Sequence, residues 1–316
     1  MKLLSIPAIS LSLLLSLLLP LKAYSFSGAY FIKDNNELFG LNKKYIIKHD
    51  KETLIDLSLR YDLGYNEITD ANPEIDPWFP GKDREITLPT SWILPSFHDD
   101  LSDGDKLIII NLAEMRLYLI KKLNNKMRVT TFPVGIGRAG GETPLGSFRV
   151  NEKLKNPAWT IPPSIRDEYP DLPDIVPPGP ENPLGRYALR LSRPEYLIHG
   201  TNKPLGIGRQ VSHGCIRMYP EDIVSLFRLV SVRNRVLIVY QPVKIGAIDG
   251  EVYIEVHRDY RGKKKILQDA ITLLRKRGLL DKVDDKLLYR AVNANGGYPV
   301  RISTQSLKGF RIRKTK

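Results

Sequence analysis

The sequence predicts a mainly β protein in which a β-rich domain with one or two helices, over residues 106–240, follows a small βααβ unit over residues 44–90. Runs rich in β-branched and aromatic residues, punctuated by Pro and Gly, recur through the larger region and indicate short strands with long loops. The smaller region carries two helical patterns flanked by short strands. At 316 residues, with 42% hydrophobic and 26% charged residues, the chain is long enough for two globular domains.

The elements of the smaller unit follow from local patterns. Leu54, Leu57 and Tyr61 recur at helical spacing and predict a first helix over residues 52–61. A second helix over residues 65–71 ends at an Asn-Pro pair, and strands are expected at residues 45–47 and 85–88. Residues 26–43 are expected to be a polar lead-in, and residues 89–105 a linker.

The larger region contains five strand patterns and one clear helix. The strands are predicted at residues 106–110, 116–120, 128–134, 187–192 and 236–240. The helix begins at Pro220, which suits a first helical position, and carries two acidic residues in its first turn. This helix follows the only cysteine closely, and we expect it to pack against the strand over residues 236–240.

Residues 241–316 are expected to be a basic C-terminal extension. They carry 18 of the basic and 8 of the acidic residues, which accounts for most of the net charge of +13. An alternating strand over residues 252–256 and a basic amphipathic helix with Ile266, Ala270 and Leu273 on its apolar side are predicted. Such a charge excess favours an anionic partner surface or is simply a solvated face. We expect this extension to be dispensable for chemistry and to aid retention in the cell envelope.

The first 25 residues have the pattern of a secretory signal peptide. Lys2 precedes an almost wholly apolar run, Pro20 ends it, and small residues Ala23 and Ser25 stand at the positions that signal peptidase reads. An uncleaved membrane anchor is the alternative, because the run approaches the ~20 residues of a membrane span. Either way the protein is expected to leave the cytoplasm, which makes nucleic acid a poor partner for the basic extension.

Cys215 is the single cysteine of the chain, and two of the five histidines, His199 and His213, lie near it in sequence. A thiol needs a base to become a good nucleophile, and an imidazole can supply that base and later protonate a leaving amine. The neighbouring Gly214 lets the backbone approach a substrate and direct N–H groups at an oxyanion. An inert buried cysteine is the alternative. Spacing alone does not decide which histidine is the base.

The order His199-Gly200-Thr201, a short loop, and Ser212-His213-Gly214-Cys215-Ile216-Arg217 resembles the signature of the L,D-transpeptidase catalytic domain of the YkuD type. Two further motifs of this family lie upstream: Thr143-Pro144-Leu145-Gly146 and Asn182-Pro183-Leu184-Gly185. The likeness covers about residues 106–240, and with the preceding unit it matches the ErfK-like periplasmic branch. It implies a β-sandwich catalytic domain.

The resemblance also implies roles for individual residues. Cys215 would be the nucleophile, His199 the general base and acid, and the Gly200 carbonyl the group that orients His199. His213 would shape the site, and the backbone N–H groups of His213, Gly214 and Cys215 would form an oxyanion hole. The remaining candidates are assigned to substrate binding: Arg217, Ser212, Trp159 and Tyr196.

Three short motifs of the smaller unit resemble the LysM domain, which binds glycans that contain N-acetylglucosamine. They are Ala71-Asn72-Pro73, Pro80-Gly81 and Leu88-Pro89. The entrance departs from the family, since His49-Asp50-Lys51-Glu52 stands where a Gly-Asp-Thr-Leu turn is usual. Glycan binding is therefore one expectation, and a βααβ spacer that orients the next domain is the other.

The implied activity is transfer of a tetrapeptide stem from Cys215 to an amine, with release of D-Ala and without any metal or organic cofactor. The expected partners are peptidoglycan stem peptides and glycan strands, with an outer-membrane lipoprotein as a possible acceptor, in the periplasm. A hydrolytic family member, an L,D-carboxypeptidase, is the first alternative. A papain-like hydrolase, a zinc site on His199, His213 and Cys215, and a non-catalytic glycan-binding scaffold are the others.

Overall fold

The structure, a computed structural model, describes residues 28–33, 37–97, 101–124, 126–262 and 265–304. The signal peptide predicted over residues 1–25 lies outside these ranges. Among the helices of the described ranges, none combines the length and the apolar character that a membrane crossing requires.

The described residues form a mainly β fold. The strands are β1 Ala29–Lys33, β2 Leu38–Gly40, β3 Lys43–Ile46, β4 Glu85–Leu88, β5 Ser91–Ile93, β6 Lys106–Asn111, β7 Arg116–Leu123, β8 Lys126–Gly137, β9 Gly146–Lys155, β10 Trp159–Thr160, β11 Ile175–Val176, β12 Tyr187–Leu191, β13 Leu197–His199, β14 Gln210–Ser212, β15 Ile216–Met218, β16 Arg235–Val239, β17 Val243–Ile248, β18 Glu251–Val256 and β19 Val300–Arg301. The helices are α1 Leu54–Arg60, α2 Tyr65–Asp70, α3 Pro163–Glu168, α4 Pro220–Leu229, α5 Ile266–Lys276 and α6 Asp285–Ala294. The predicted fold class is confirmed.

The catalytic region is a β-sandwich whose two sheets share their longest strands. The strands follow the order β8-β15-β13-β12-β9-β16-β6-β7, and β7 returns to pair with β8. Residues 126–133 of β8 pair with β7, and the next two pair with β15, so this strand passes from one sheet to the other. β9 does the same between β16 and β12. Apolar side chains from the inner faces of both sheets fill the space between them.

The N-terminal unit, residues 43–88, has the predicted order of strand, helix, helix and strand. β3 pairs antiparallel with β4, and the two helices lie between them in sequence. Thr53 begins α1 by accepting the backbone N–H of Asp56 at 3.0 Å, while the Asp56 carboxylate accepts the N–H of Thr53. Fully buried Leu54, Leu57 and Ile68 place the inner faces of both helices in a core.

That core is shared with the sandwich. The outward faces of β6, β7 and β8 pack against the N-terminal unit in one continuous apolar cluster. Within it Arg116 of β7 is fully buried and makes two hydrogen bonds to the Glu67 carboxylate of α2, at 2.7 and 2.8 Å. Breaking a buried pair of this kind typically costs 3–5 kcal/mol, because one charge is left without a partner. The N-terminal unit is thus firmly attached to the catalytic region.

Residues 26–43 were expected to be a polar lead-in and residues 89–105 a linker, but parts of both ranges form strands. β1 adds an antiparallel strand to β8, and β2 pairs with β5, which lies inside the predicted linker. Phe39 and Trp92 are buried on these strands with their ring centroids 5.9 Å apart. These strands form because their apolar side chains join a core that distant strands of the sandwich supply, and the local sequence does not show that core.

Residues 243–304, here called the C-terminal unit, fold into a three-stranded sheet of β17, β18 and β19 covered by α5 and α6. They have their own apolar core. The predicted helix at Ile266 and the strand over residues 252–256 are confirmed, whereas α6 was missed. The region that the charge pattern presented as an extension is a compact unit.

A buried charged cluster joins the C-terminal unit to the rest. Lys244 Nζ lies 2.7 Å from Glu114 Oε2 and 2.8 Å from Glu255 Oε1, and it donates to the Ile93 carbonyl at 2.7 Å. His257 Nε2 lies 2.8 Å from Glu255 Oε1. In the described ranges, Glu114, Glu255 and His257 are the group spaced closely enough to hold a metal ion. The ammonium of Lys244 bonds both of those carboxylates, which gives the cluster a structural role.

Candidate active site

His199 and Arg217 face each other on neighbouring strands. β13 and β15 run parallel, and His199 is the register partner of Arg217. Partner residues in a sheet project to the same face, and Cys215 lies two positions before Arg217, immediately before β15 begins. The fold therefore gathers the thiol, the imidazole and the guanidinium on one face of the sandwich.

His199 is held as a neutral base. Its ring is 3% exposed, and Nδ1 lies 2.6 Å from the Gly200 carbonyl oxygen. Because a carbonyl only accepts hydrogen bonds, Nδ1 carries the proton, and Nε2 is the unprotonated nitrogen of the neutral ring. The Leu184 carbonyl is a second backbone contact of this ring. Burial, and then the positive charge of Arg217, lower the pKa of His199 from 6.5 to about 4. At neutral pH this imidazole is uncharged and able to accept a proton.

The Cys215 thiol is partly buried, and its Sγ lies 3.6 Å from the Glu195 carbonyl oxygen. Burial raises the pKa of this thiol, an effect that Arg217 opposes. Desolvation of the thiolate outweighs the nearby positive charge, so the pKa of this thiol lies above its ordinary value. Cys215 and His199 thus rest as a neutral thiol and a neutral imidazole.

Gly214 gives the backbone before Cys215 a conformation that favours glycine, with φ +110°. An added Cβ would lie 2.8 Å from Cε1 of Tyr196, so there is also no room for a side chain. The N–H of Gly214 donates to Ser212 Oγ at 3.1 Å. This N–H is therefore already engaged, which weakens its predicted place in an oxyanion hole.

Ser212 and Thr143 fix the turn formed by residues 212–215, here called the cysteine turn. Ser212 is buried, and its hydroxyl donates to the Cys215 carbonyl at 2.6 Å. The Thr143 hydroxyl donates to the Gly214 carbonyl at 2.9 Å and accepts the Gly137 N–H at 2.9 Å. With both of its hydrogen bonds inside the turn, Ser212 positions Cys215, and its predicted contact with substrate has no support in this geometry.

His213 points to a different set of partners. Its Nε2 lies 2.9 Å from Glu168 Oε2 and 2.9 Å from Arg138 Nη2. Arg138 and Glu168 also form an ion pair, and these groups hold the pKa of Glu168 at about 2. His213 therefore links the cysteine turn to α3, in the long loop before β12, which agrees with a role in shaping the site.

Arg217 has an unsatisfied donor in the site. Its Nε is buried without a hydrogen-bond partner among the described residues, and burial lowers the pKa of the guanidinium. A buried donor without a partner costs about 1–3 kcal/mol, so it is a natural contact for a substrate acceptor.

The two aromatic candidates differ. The ring of Tyr196 lies against Gly214, with the Arg193 guanidinium 5.3 Å from its centroid, so Tyr196 borders the cysteine turn. Trp159 is half-buried in the β10–β11 pair, in the same long loop as α3. Among the described contacts, none joins Trp159 to Cys215 or His199, and its role in binding stays a prediction.

Sequence reasoning missed several residues that support the site. The motif that contains Thr143 was noted in the sequence, but the hydrogen bond of the Thr143 hydroxyl to the cysteine turn was not expected. Tyr65 of the N-terminal unit contacts Arg209 and Ile207, in the loop between β13 and β14. These contacts depend on tertiary packing, and no local pattern indicates them.

Comparison with known proteins agrees with this geometry. Residues 105–238 match YkuD, the L,D-transpeptidase catalytic domain. The chain is 38% identical over 275 residues to the probable L,D-transpeptidase ErfK/SrfK of Escherichia coli K12, covering 83% of this chain and 86% of that relative. It is 37% identical over 288 residues to the probable L,D-transpeptidase YbiS of the same organism, covering 85% and 90%. A third relative, the probable L,D-transpeptidase YcfS, is 38% identical over 232 residues, covering 71% and 70%. The chain therefore belongs to the L,D-transpeptidase family and is an enzyme that acts on peptidoglycan stem peptides.

Proposed function

We propose that Cys215 is the nucleophile that takes up the stem peptide and that His199 is its general base and acid. The observation that carries this proposal is the neutral His199 ring, fixed through Nδ1 on the Gly200 carbonyl and register-paired with Arg217 beside the cysteine turn. His213, the other candidate base, is engaged with Glu168 and Arg138, which favours His199.

In the first half-reaction the thiol attacks the carbonyl of the third residue of a tetrapeptide stem. The S–H proton passes to Nε2 of His199 as the C–S bond forms. The imidazolium then protonates the nitrogen of the terminal D-Ala, the C–N bond breaks, and D-Ala leaves. The pair thus ends with a thioester and a neutral imidazole, ready for the next step.

The tetrahedral intermediate needs donors for its oxyanion. Since the Gly214 N–H already donates to Ser212, we assign this role to the backbone N–H groups of His213 and Cys215. We assign Arg217 to the terminal carboxylate of the leaving D-Ala, because its buried Nε lacks a partner and a guanidinium binds carboxylates in two-point geometry.

In the second half-reaction an amine attacks the thioester carbonyl as His199 removes a proton from the amine. The C–S bond then breaks, and the proton passes from His199 to Sγ of Cys215, which restores the thiol and the neutral imidazole. The amine of a neighbouring stem would give a 3→3 cross-link, and a lysine of an outer-membrane lipoprotein would give attachment of that lipoprotein. Water would give an L,D-carboxypeptidase.

The N-terminal unit is proposed to be a LysM-like domain that binds the glycan strand. Trp78 and Phe79 are 49% and 81% exposed side by side, in the loop between α2 and β4. Asp76 fixes this loop by accepting the N–H groups of both residues, at 2.8 and 3.0 Å. Exposed aromatic rings held on a rigid loop suit the apolar faces of sugar rings.

Export to the periplasm is proposed from the signal-peptide pattern of residues 1–25. The basic composition of residues 241–316 suits anionic polymers of the envelope. The compact fold of the C-terminal unit and its buried Lys244 cluster argue that it also supports the catalytic region.

The test is to incubate the enzyme with a disaccharide-tetrapeptide and to separate the products by chromatography and mass spectrometry. Release of D-Ala together with a 3→3 dimer supports the transpeptidase, and Cys215→Ala should yield neither product. Release of free tripeptide alone, even when a lysine-bearing lipoprotein peptide is supplied, would overturn the proposed amine acceptor and make the enzyme a carboxypeptidase.

A further inference from the structure

The loop that connects His199 to the strand before the cysteine turn packs against the N-terminal unit. This loop, residues 200–209, runs from His199 to β14 and so toward the cysteine turn. At the start of α2, the N–H of Tyr65 donates to the Ile207 carbonyl at 3.1 Å. The Arg209 guanidinium lies 3.6 Å from the centroid of the Tyr65 ring, a close cation–π contact.

Two glycines allow the backbones to meet here. Gly208 has φ +75°, and an added Cβ would lie 2.2 Å from the backbone nitrogen of Tyr65. An added Cβ on Gly64 would lie 3.0 Å from Cα of Gly208. A fit this tight, with a backbone hydrogen bond and a ring contact, makes the loop and the start of α2 one packed structure.

On its other side the loop is bound to the sandwich. The N–H of Gly208 donates to the Val134 carbonyl at 3.1 Å, and the N–H of Ile136 donates to the Arg209 carbonyl at 3.0 Å. The loop is therefore held between β8 and α2, and loss of the α2 contacts leaves only one side attached.

The same loop forms a wall beside Arg217. An ideal Cβ on Gly206 would lie 3.8 Å from Nη1 of Arg217, so the guanidinium packs against the loop backbone. Gly135, the register partner of Arg217 on β8, also touches the loop. A Cβ added to Gly135 would lie 2.6 Å from the Gly206 carbonyl oxygen. The place of the guanidinium is thus set jointly by β8 and by the loop.

We infer that Tyr65 of the N-terminal unit is a positioning residue for the carboxylate-binding Arg217, acting through Arg209, Ile207 and Gly206. This inference rests on the proposed role of Arg217. It gives the N-terminal unit a part in substrate selection that is independent of glycan binding: the unit completes the pocket for the free carboxylate of the stem peptide.

The test compares a tetrapeptide with its C-terminal carboxamide, using the full chain and measuring KM and kcat for release of the terminal residue. In Tyr65→Ala the KM for the free acid should rise on the order of tenfold with kcat nearly unchanged, as expected for loss of a desolvated cation–π contact. The KM for the carboxamide should stay the same, so the preference for the acid should fall. Tyr65→Phe keeps the ring and should behave as the unchanged protein.

Arg209→Gln provides the second variant, because it removes the cation that lies over the Tyr65 ring. If Tyr65→Ala fails to fold, Arg209→Gln should show the same selective loss. Equal losses for acid and carboxamide, or no change in either variant while Cys215→Ala is inactive, would overturn this inference alone. Release of the terminal residue by Cys215→Ala would instead overturn the proposed function.

Discussion

Arg217 lies directly opposite His199 on the neighbouring parallel strand, and this register places a cation beside the base. Its guanidinium adds to burial in lowering the pKa of His199 to about 4. The same cation partly offsets the burial that raises the pKa of Cys215. A single strand pairing thus places one cation beside both groups, where it reinforces the effect of burial on His199 and opposes it on Cys215.

The pH dependence of acylation follows from these two directions. Below a pKa of about 4, His199 is protonated and cannot accept the thiol proton, so the acid limb of kcat/KM should lie near pH 4 rather than near 6.5. Because the pKa of Cys215 is raised, the rate should stay flat through neutral pH. A pH–rate profile of D-Ala release checks this, and an acid limb centred above pH 6 would contradict the neutral resting pair.

Removing the Arg217 cation should move the pKa of His199 back toward its ordinary value. In Arg217→Gln the pKa of His199 should rise from about 4, although not fully to 6.5, because burial remains the larger cause of the shift. NMR titration of the His199 ring reads this directly and does not depend on substrate binding. Arg228→Gln removes an exposed arginine of α4 and serves as the control, in which the His199 titration should not move.

Gly214 should tolerate no side chain. In Gly214→Ala the new Cβ meets the Tyr196 ring at 2.8 Å and the residue keeps a φ of +110°, so the cysteine turn must shift. Because small displacements of reacting groups cost about 100-fold, we expect at least that loss in the rate of acylation. Gly250→Ala is the matched control, since Gly250 also has a positive φ but has open space around it. Equal activity of the two variants would contradict the prediction, because it would show that the close contact with Tyr196 at Gly214 does not affect acylation.

Thr143 should matter through its hydroxyl. Thr143→Val keeps the shape but leaves the Gly214 carbonyl and the Gly137 N–H without their partner, at about 1–3 kcal/mol for each buried group. We expect a lower melting temperature and a roughly tenfold slower acylation, because the turn that carries Cys215 loosens. Thr143→Ser retains the hydroxyl and should recover most of the rate. If Thr143→Ser is as slow as Thr143→Val, retaining the hydroxyl does not preserve the rate, and the prediction is contradicted.

The C-terminal unit should be required for a stable fold. Lys244→Met leaves Glu114 and Glu255 buried together without their cation, which should lower the free energy of unfolding by about 3–5 kcal/mol. Urea denaturation measures this, with Lys286→Met, at an exposed position of α6, as the control. Truncation after Gln241 should likewise leave the catalytic region poorly folded. A soluble, active truncated protein would restore the expectation of a dispensable extension.

The sequence predicts the strands and helices that carry a strong local pattern. The strand over residues 85–88 and the helix beginning at Pro220 match the structure, and so does the βααβ order of the N-terminal unit. The order of His199 and Cys215 with their neighbours also indicated the family. The predictions succeeded where a few adjacent residues determine the outcome.

The misses come from interactions between distant residues. β1 forms because β8 offers an edge about a hundred residues away, and Lys244 is buried because Glu114 and Glu255 meet it from separate elements. The raised pKa of Cys215 likewise depends on burial, which the surrounding sequence does not reveal. Only the folded chain brings these groups together.

The most direct measurement is intact-protein mass spectrometry after brief exposure to a disaccharide-tetrapeptide. The account predicts a thioester adduct on Cys215 that corresponds to the stem minus D-Ala, present in the unchanged protein, absent in Cys215→Ala and strongly reduced in His199→Gln. An adduct that persists in Cys215→Ala, or full acylation in His199→Gln, would contradict the assignment of nucleophile and base.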